Sequence, residues 1–306
     1  MLFAWLTTIL FSISAVCGHR SARLIGGTEA NFWRAALATL LLAAWSYSFG
    51  KGLAGSAFPA FLLSGILGIG VGDVAYFQAL PRLGPRLSLL LVQCLTAPLG
   101  ALVEWLWLGT TLTAAQMLCG FVSLAGVGLA LAPDRQWRTT RSAWRIGIAA
   151  GLLAALGGAG GAVFSRKAYE IVQAHGEHID PINAGYQRML GGLFLAGLAL
   201  LIVKRREFQF QGRAPRQLLT PSTKEKWKLA WHWVALNALA GQTFGVSCMQ
   251  RAFETTPAGI VLAIISTSPI VIIPLAYFLD GERPSRRSLF GSLIAVGGVA
   301  GLTLVR

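Results

Sequence analysis

Long apolar runs follow one another along almost the whole chain and are separated by short polar stretches. A helix needs roughly 20 mostly apolar residues to cross the hydrocarbon core of a bilayer, and ten runs come close to this length. A segment in lipid must satisfy its own backbone hydrogen bonds, so each run is predicted to be a helix. The predicted spans are 2–18, 30–49, 58–80, 87–108, 113–132, 146–165, 182–203, 229–250, 258–279 and 289–305.

The predicted spans divide into two halves that carry matching residues in the same order. The matched pairs include Arg34 with Arg188, Gln78 with Gln250, Pro85 with Pro257, and Gly109 with Gly281. Each half holds five spans, an odd number, so the second copy must enter the membrane with the opposite orientation. Inverted repeats of this kind recur in secondary transporters, whose substrate site lies near the midplane of the membrane. The sequence therefore predicts an all-α integral membrane protein with ten transmembrane helices in two inverted-topology five-helix repeats.

The expected domain boundaries follow from this repeat. The first repeat covers 1–132, a basic connection covers 133–145, and the second repeat covers 146–306 and includes a basic loop at 204–228. Composition agrees with the membrane class, because 55% of the residues are hydrophobic and only 12% are charged, against about 25% charged in a typical soluble domain.

The net charge of +14 is concentrated between the spans. The connections that follow odd-numbered spans carry 19 of the 26 lysines and arginines. The positive-inside rule would place these connections in the cytoplasm and both termini outside. No nucleic-acid motif accompanies the charge, so no nucleic-acid partner is expected. The basic 204–228 loop is instead expected to lie on anionic lipid headgroups.

The repeat motifs point to a known family. The run Gln78-Ala79-Leu80-Pro81-Arg82-Leu83-Gly84-Pro85, followed by a span that contains Pro98, resembles the EamA-type transporters of the drug/metabolite transporter superfamily. Thr256-Pro257-Ala258, leading to Ser268-Pro269, resembles the same family in the second half. The resemblance covers the whole chain. It implies a ten-helix carrier of small organic solutes in the cell (inner) membrane, often an exporter. It also implies cytoplasmic termini, opposite to the charge distribution, so the orientation stays open.

Ionisable side chains at membrane depth are costly and tend to face a cavity or a partner. Asp73 lies in the middle of its span, and Tyr76, three residues later, shares its helix face. At the offset that relates Gln78 to Gln250, Asp73 aligns with Gly245, so this carboxylate has no counterpart in the other half. Asp73 and Tyr76 are therefore expected to face a cavity. The two glutamines, in contrast, are expected in the turn before the next helix.

The remaining ionisable groups have two interpretations each. Arg34 and Arg188 lie near the starts of their spans, where a structural role is favoured because a long side chain can reach the interface or backbone carbonyls. Glu104 could line a pathway, on one stripe with Gln93 and Thr96, or could bind polar groups near the end of its span.

Other polar side chains complete the candidate set. A stripe in the eighth span holds Asn237 and Phe244, and the ninth span holds Ser266 and Ser268 beside Pro269, where a proline frees a backbone carbonyl. Such hydroxyls more often join helices than bind ligands. The predicted substrate-binding residues are Asp73, Tyr76, Gln93, Thr96, Glu104, Asn237, Ser266 and Ser268.

The sequence favours a carrier that moves a small organic solute, such as a metabolite, an amino acid or an amine, by alternating access. Protons are a candidate coupling ion, through Asp73 or Glu104. A flippase of a lipid-linked molecule is the alternative. A membrane-embedded transferase is less favoured, since no nucleophile–base pair can be placed. No cofactor is expected, and the spacing of His175, His178 and Asp180 favours a solvated loop over a metal site.

Overall fold

The computed structural model describes residues 2–108, 113–131, 140–211, 223–255, 264–281 and 284–304. Within these ranges the chain is almost entirely helical and contains no strand, so the prediction of an all-helical protein is confirmed for them. The helices are α1 (Leu2–Ile25), α2 (Gly27–Ser48), α3 (Phe58–Gly65), α4 (Gly72–Leu108), α5 (Ala114–Leu131), α6 (Arg141–Ala174), α7 (Pro181–Gln211), α8 (Thr223–Asn237), α9 (Val246–Thr255), α10 (Ser268–Asp280) and α11 (Arg286–Leu304).

Four helical stretches in the described ranges are long and apolar enough to cross a membrane. They are Leu2–Ile25, Phe58–Gly100, Arg141–Ala174 and Pro181–Arg205. Two shorter apolar helices, Ala114–Ala130 and Ser268–Leu279, accompany them. The count of ten spans stays a prediction.

The helices are longer than the apolar runs that predicted them. Helix α7 continues to Gln211 and α8 begins at Thr223, so much of the expected loop at 204–228 is helical. Residues 212–222 lie outside the described ranges. The difference arises because hydropathy detects only the apolar part of a helix, whereas Lys, Arg and Glu are good helix formers that extend it beyond the lipid.

Helix α4 bends sharply at Gly84, where φ is 79° and ψ is 165°. This backbone conformation is strained for residues with a Cβ atom but accessible to glycine. Pro85 follows as the first residue of the next helical stretch, a position where its missing N–H removes no hydrogen bond. The bend therefore divides α4 into residues 72–83 and 85–108, close to the predicted boundary between two spans.

Two π-helical segments interrupt long helices without ending them. The first, Ile66–Val71, joins α3 to α4, and the second, Ala238–Gly245, joins α8 to α9. Their first residues, Ile66 and Ala238, have the same separation in sequence as the matched glutamines Gln78 and Gln250. Such segments often occur at functional sites because they change which side chains face inward.

Close glycine contacts hold α6 against the first π-helical segment and the start of α4. A Cβ atom on Gly161 would lie 2.6 Å from the Cα atom of Gly68, and one on Gly157 would lie 2.8 Å from the Cα atom of Gly72. Small residues allow helix backbones to approach in this way inside membranes. The contact makes a helix of the first half and a helix of the second half neighbours in the wall of a central cavity.

Candidate functional site

A cavity of about 550 Å³ lies among the helices of both halves. Residues of α1, α2, α4, α6, α7 and α9 line it, together with residues of both π-helical segments. The volume is in the range of pockets that hold small organic ligands, roughly 300–1,000 Å³. The wall is largely apolar, and a few polar side chains converge on it.

An ion pair between a buried arginine and a partly exposed aspartate lies on this wall. The Arg34 Nη2 atom is 2.6 Å from Asp73 Oδ2, and the Arg34 side chain is only 4% exposed. Gln242 Nε2 donates a hydrogen bond to the same carboxylate oxygen at 2.8 Å. Asp73 directly follows the start of α4, after the first π-helical segment, while Gln242 belongs to the second one. The hydrogen bond from Gln242 to Asp73 therefore joins the two halves through side chains that lie in or directly after the π-helical segments.

Further contacts fix the Arg34 guanidinium. Its Nε and Nη2 atoms donate to Asn31 Oδ1 at 3.1 and 3.0 Å, and Nη1 donates to Asn237 Oδ1 at 3.4 Å. The Phe77 ring lies beneath it, with the ring centroid 4.5 Å from Cζ. Asn237 in turn donates from Nδ2 to the Ser14 carbonyl at 2.6 Å. This full set of partners offsets the cost of removing the charge from water.

Several other polar atoms of the wall have no hydrogen-bond partner among the residues that the structure describes. They are Arg188 Nε, Tyr76 Oη, Gln242 Oε1 and Gln250 Nε2. Buried polar atoms in proteins are almost always hydrogen-bonded, and all four residues line the same cavity. These four residues of the wall therefore retain hydrogen-bonding capacity that the described part of the chain does not use.

The cavity extends from the ion pair along α6 towards the end of that helix. Ser165, Tyr169 and Gln173 line this part. The opposite side of the ion pair is closely packed instead. There the His19 Nδ1 atom lies 2.8 Å from the Leu80 carbonyl oxygen, and the Leu80 side chain is fully buried. The cavity thus reaches one end of the helices and is closed at the other.

The predicted site residues fall into four groups. Asp73, Tyr76, Gln93 and Thr96 line the cavity, as do Arg34 and Arg188. Asn237 supports Arg34 from behind the wall. Ser266 and Ser268 are buried but do not belong to the wall, and Ser268 Oγ donates to the Ile265 carbonyl at 2.5 Å. Glu104 lies in α4, but its side chain is outside the described part of the chain.

Two amides on the wall, Gln242 and Gln250, were not predicted as site residues. A regular helical period puts Phe244 on the stripe of Asn237, but the π-helical segment shifts the register, and Phe244 is 56% exposed on the outside. Gln250 was expected in a turn but lies in α9. Its Oε1 accepts a hydrogen bond from Tyr169 Oη at 2.8 Å. The signal that indicates both residues is an isolated amide within an apolar span.

Comparison with known proteins adds a relative and a structural neighbour. The chain is 29% identical over 79 residues to the probable 4-amino-4-deoxy-L-arabinose-phosphoundecaprenol flippase subunit ArnE of Pseudomonas fluorescens (strain Pf0-1), covering 26% of this chain and 67% of that protein. A solved structure described as "Crystal structure of protein" matches with a TM-score of 0.60 at 18% identity, over 99% of this chain and 96% of the other. At this identity the likeness shows a shared fold alone.

The family match covers both halves of the chain. The EamA-like transporter family matches residues 1–132 and 145–304, so the resemblance of the repeat motifs to this family is confirmed. The long apolar helices agree with it and indicate an integral membrane protein. This chain belongs to the EamA-like transporter family.

Proposed function

We propose that this protein is a multi-pass carrier of the cell (inner) membrane that binds a small organic solute in the central cavity. The observation that carries the proposal is the Arg34–Asp73 ion pair on the wall of a cavity of about 550 Å³. Charged side chains at membrane depth are rare and mark substrate or ion pathways. A metabolite, an amino acid or an amine would fit a wall that combines apolar, amide and charged groups.

Alternating access is the mechanism that we infer for this carrier. At the closed end, Gly18 and His19 of α1 pack against Leu80. In the aligned halves these residues correspond to Ser165, Arg166 and Ala252. Ser165 and Arg166 line the cavity on its extended side. In the alternative access state, Ser165 and Arg166 would pack against Ala252, and Gly18 and His19 would separate from Leu80. For export, the solute must enter the cavity from the cytoplasm.

Ten spans in two inverted repeats are part of the same proposal. The two π-helical segments support it, because they have the same separation in sequence as the matched glutamines Gln78 and Gln250. An internal repeat would place such an irregularity at equivalent positions. The division of α4 at Gly84 supports it as well, since it supplies two spans where a single helix would supply one.

The proposed coupling ion is a proton, with Asp73 as one acceptor and Glu104 as the other candidate. In this conformation the Asp73 carboxylate is held by Arg34 and Gln242. Proton uptake at Asp73 would break the ion pair, so Asp73 would have to separate from Arg34, which a change between the two access states could supply.

A flippase of a lipid-linked molecule is the second candidate function. The similarity to ArnE favours it, because that protein is named as a flippase subunit for a phosphoundecaprenol-linked sugar. The two candidates share the family and the cavity and differ in whether the substrate carries a lipid chain.

The test of the proposal is a transport screen in proteoliposomes with an imposed pH gradient. Labelled metabolites, amino acids and amines are offered to the wild type and to the variants Asp73→Asn and Glu177→Gln. Glu177→Gln is the control, because it makes the same acid-to-amide change outside the cavity. Glu177 lies in the connection before α7, where its carboxylate accepts a hydrogen bond from the Ser56 backbone N–H. We expect transport of at least one solute, a loss of about tenfold or more in Asp73→Asn, which corresponds to roughly 1.4 kcal/mol, and little change in Glu177→Gln.

Unchanged transport in Asp73→Asn would contradict the proposed site. Fluorescent phospholipid and polyprenyl phosphate probes, followed by quenching of the outer leaflet, form the second arm of the screen. Movement of a lipid-linked probe, with none of the soluble solutes transported, would replace the carrier by the flippase.

A further inference from the structure

The wall of the cavity holds a second arginine in a fixed position. The Arg188 side chain in α7 is 7% exposed. Its backbone is pressed against α3, since a Cβ atom on Gly65 would lie 1.8 Å from the Arg188 carbonyl oxygen. A Cβ atom on Gly68 would lie 3.5 Å from Arg188 Nη2, so the guanidinium lies beside the first π-helical segment. Both glycines leave room for this arginine at the edge of the cavity.

The two buried arginines differ in their partners. Arg34 binds the Asp73 carboxylate and the side-chain oxygens of Asn31 and Asn237. Arg188 makes no ion pair with any described residue, and its Nε atom has no hydrogen-bond partner. A buried guanidinium without an ion-pair partner of its own is costly, because the charge loses its hydration. The Asp73 carboxylate attracts Arg188, but it already binds Arg34.

The carboxylates on the described part of the wall are already engaged. Arg34 and Gln242 bind Asp73. Glu170, near the end of α6, is 3.2 Å from Lys167, and both side chains are more than half exposed. The Arg34–Asp73 pair is neutral as a unit, so the inner cavity retains the positive charge of Arg188.

The internal repeat explains how this imbalance arises. Arg34 and Arg188 are matched residues of the two halves, whereas Asp73 aligns with Gly245. The first-half arginine thus has a carboxylate from its own half, and the second-half arginine has a glycine at the equivalent position. Among the described residues, Arg188 therefore has no ion-pair partner of its own.

We propose that Arg188 binds an anionic group, a carboxylate or a phosphate, on the molecule that occupies the cavity. A guanidinium presents a planar set of donors that matches both groups. Tyr76 Oη and Gln250 Nε2 are further atoms of the same wall without a protein partner, and both can donate to the same ligand. This inference rests on the proposed carrier function and narrows its substrate to a molecule with a negatively charged group. That group belongs either to a soluble metabolite or to a lipid phosphate.

Binding can be measured on the purified full-length protein without any transport. The midpoint of thermal unfolding is followed with a thiol-reactive dye, since the Cys17 and Cys94 thiols are buried until the protein unfolds. The soluble probes are benzoate and phenyl phosphate, with uncharged benzamide for comparison. We expect a saturable rise of the midpoint with the two anions and none with benzamide.

The variants assign the effect to one side chain. Loss of a charge-assisted hydrogen bond in Arg188→Gln should raise the half-saturating anion concentration at least about tenfold. Arg23→Gln is the matched control, because it removes the same charge from an exposed position at the end of α1. It should leave anion binding unchanged.

Nanodiscs of phosphatidylcholine with or without phosphatidic acid distinguish the two sources of the anion. A response to benzoate or phenyl phosphate points to a soluble solute, and a response to phosphatidic acid alone points to a lipid phosphate. Either response supports the inference if Arg188→Gln loses it. If this variant does not fold, the comparison of benzoate with benzamide in the wild type decides whether the protein binds an anionic group.

Equal effects of benzoate and benzamide, no effect of any anion, or full anion binding in Arg188→Gln would overturn the inference. A protein that transports an uncharged or cationic solute and ignores anions would retain the carrier function and lose only this site. Anion binding through Arg188 without transport of any solute would contradict the carrier function alone.

Discussion

At the scale of single residues, Arg34 and Arg188 differ in how firmly the protein holds them. Asn31, Asn237 and Phe77 hold the guanidinium from the protein side, while Asp73 meets it on the cavity wall. A charge that is bound on several sides keeps its position when a neighbouring molecule changes. Arg34 thus shapes the site, whereas Arg188 remains available to a ligand.

The Arg34–Asp73 pair should be strongly coupled in stability. Arg34→Gln leaves Asp73 as a largely buried carboxylate with only Gln242 as a described partner, and removal of one partner of a buried pair typically costs about 3–5 kcal/mol. Arg34→Gln combined with Asp73→Asn should cost less than the sum of the single changes, because neither charge is then left alone. Thermal unfolding of the three variants measures this. Additive effects would show that the pair does not form in the membrane.

Residue spacing could predict part of this site. A spacing of three places Asp73 and Tyr76 on one helix face, and both line the cavity. The different surroundings of Arg34 and Arg188 could not be predicted, since both lie near helix starts and only the packing of distant helices decides their partners. Gln242 was missed because its position depends on a π-helical segment that a regular period does not contain.

At the scale of helices, close backbone contacts determine where the cavity wall lies. Helix α6 approaches the first π-helical segment so closely that Gly161 and Gly68 leave no space for a methyl group. Ser64 Oγ adds a hydrogen bond to the Gly161 carbonyl at 2.7 Å. Asp73 lies only a short distance along the chain from Gly68, so a displacement of α6 would also move the Asp73 carboxylate.

Substitution of neighbouring glycines tests this contact. Gly161→Ala places a Cβ atom 2.6 Å from the Gly68 backbone, whereas Gly160→Ala places one 3.6 Å from a Leu67 side-chain carbon, an ordinary contact. Overpacking of this kind typically costs about 1–3 kcal/mol, so Gly161→Ala should lower both the unfolding midpoint and transport. Gly160→Ala should change neither by much. Equal effects of the two variants would contradict the close approach.

The helices themselves could be predicted from the sequence, but their ends could not. An apolar run in lipid must be helical to satisfy its backbone, and the described part of the chain agrees. The ends differ because charged residues continue α7 to Gln211 beyond the apolar run. The break at Gly84 is easier to locate, since Pro81 and Pro85 lie on either side of it.

At the scale of the whole molecule, the two ends of the described helices differ. One end of the helices is closed by α1 and the residues around Leu80, and the other end opens along α6. Matched residues predict an internal repeat, and this repeat stays a prediction. Which contact is closed could not be predicted, because both states satisfy the same pattern of apolar and polar positions.

The central claim, that the transported solute occupies the cavity beside Arg34 and Asp73, is tested most directly by protection of one cysteine. Ala162→Cys, in a background without the four native cysteines, places a thiol on the cavity wall. Lys51→Cys is the control, an exposed position in the connection that binds the start of α7. We expect the solute identified by the transport screen to slow maleimide labelling at position 162 and to leave labelling at position 51 unchanged. Labelling at position 162 that stays equally fast with saturating solute would contradict the claim.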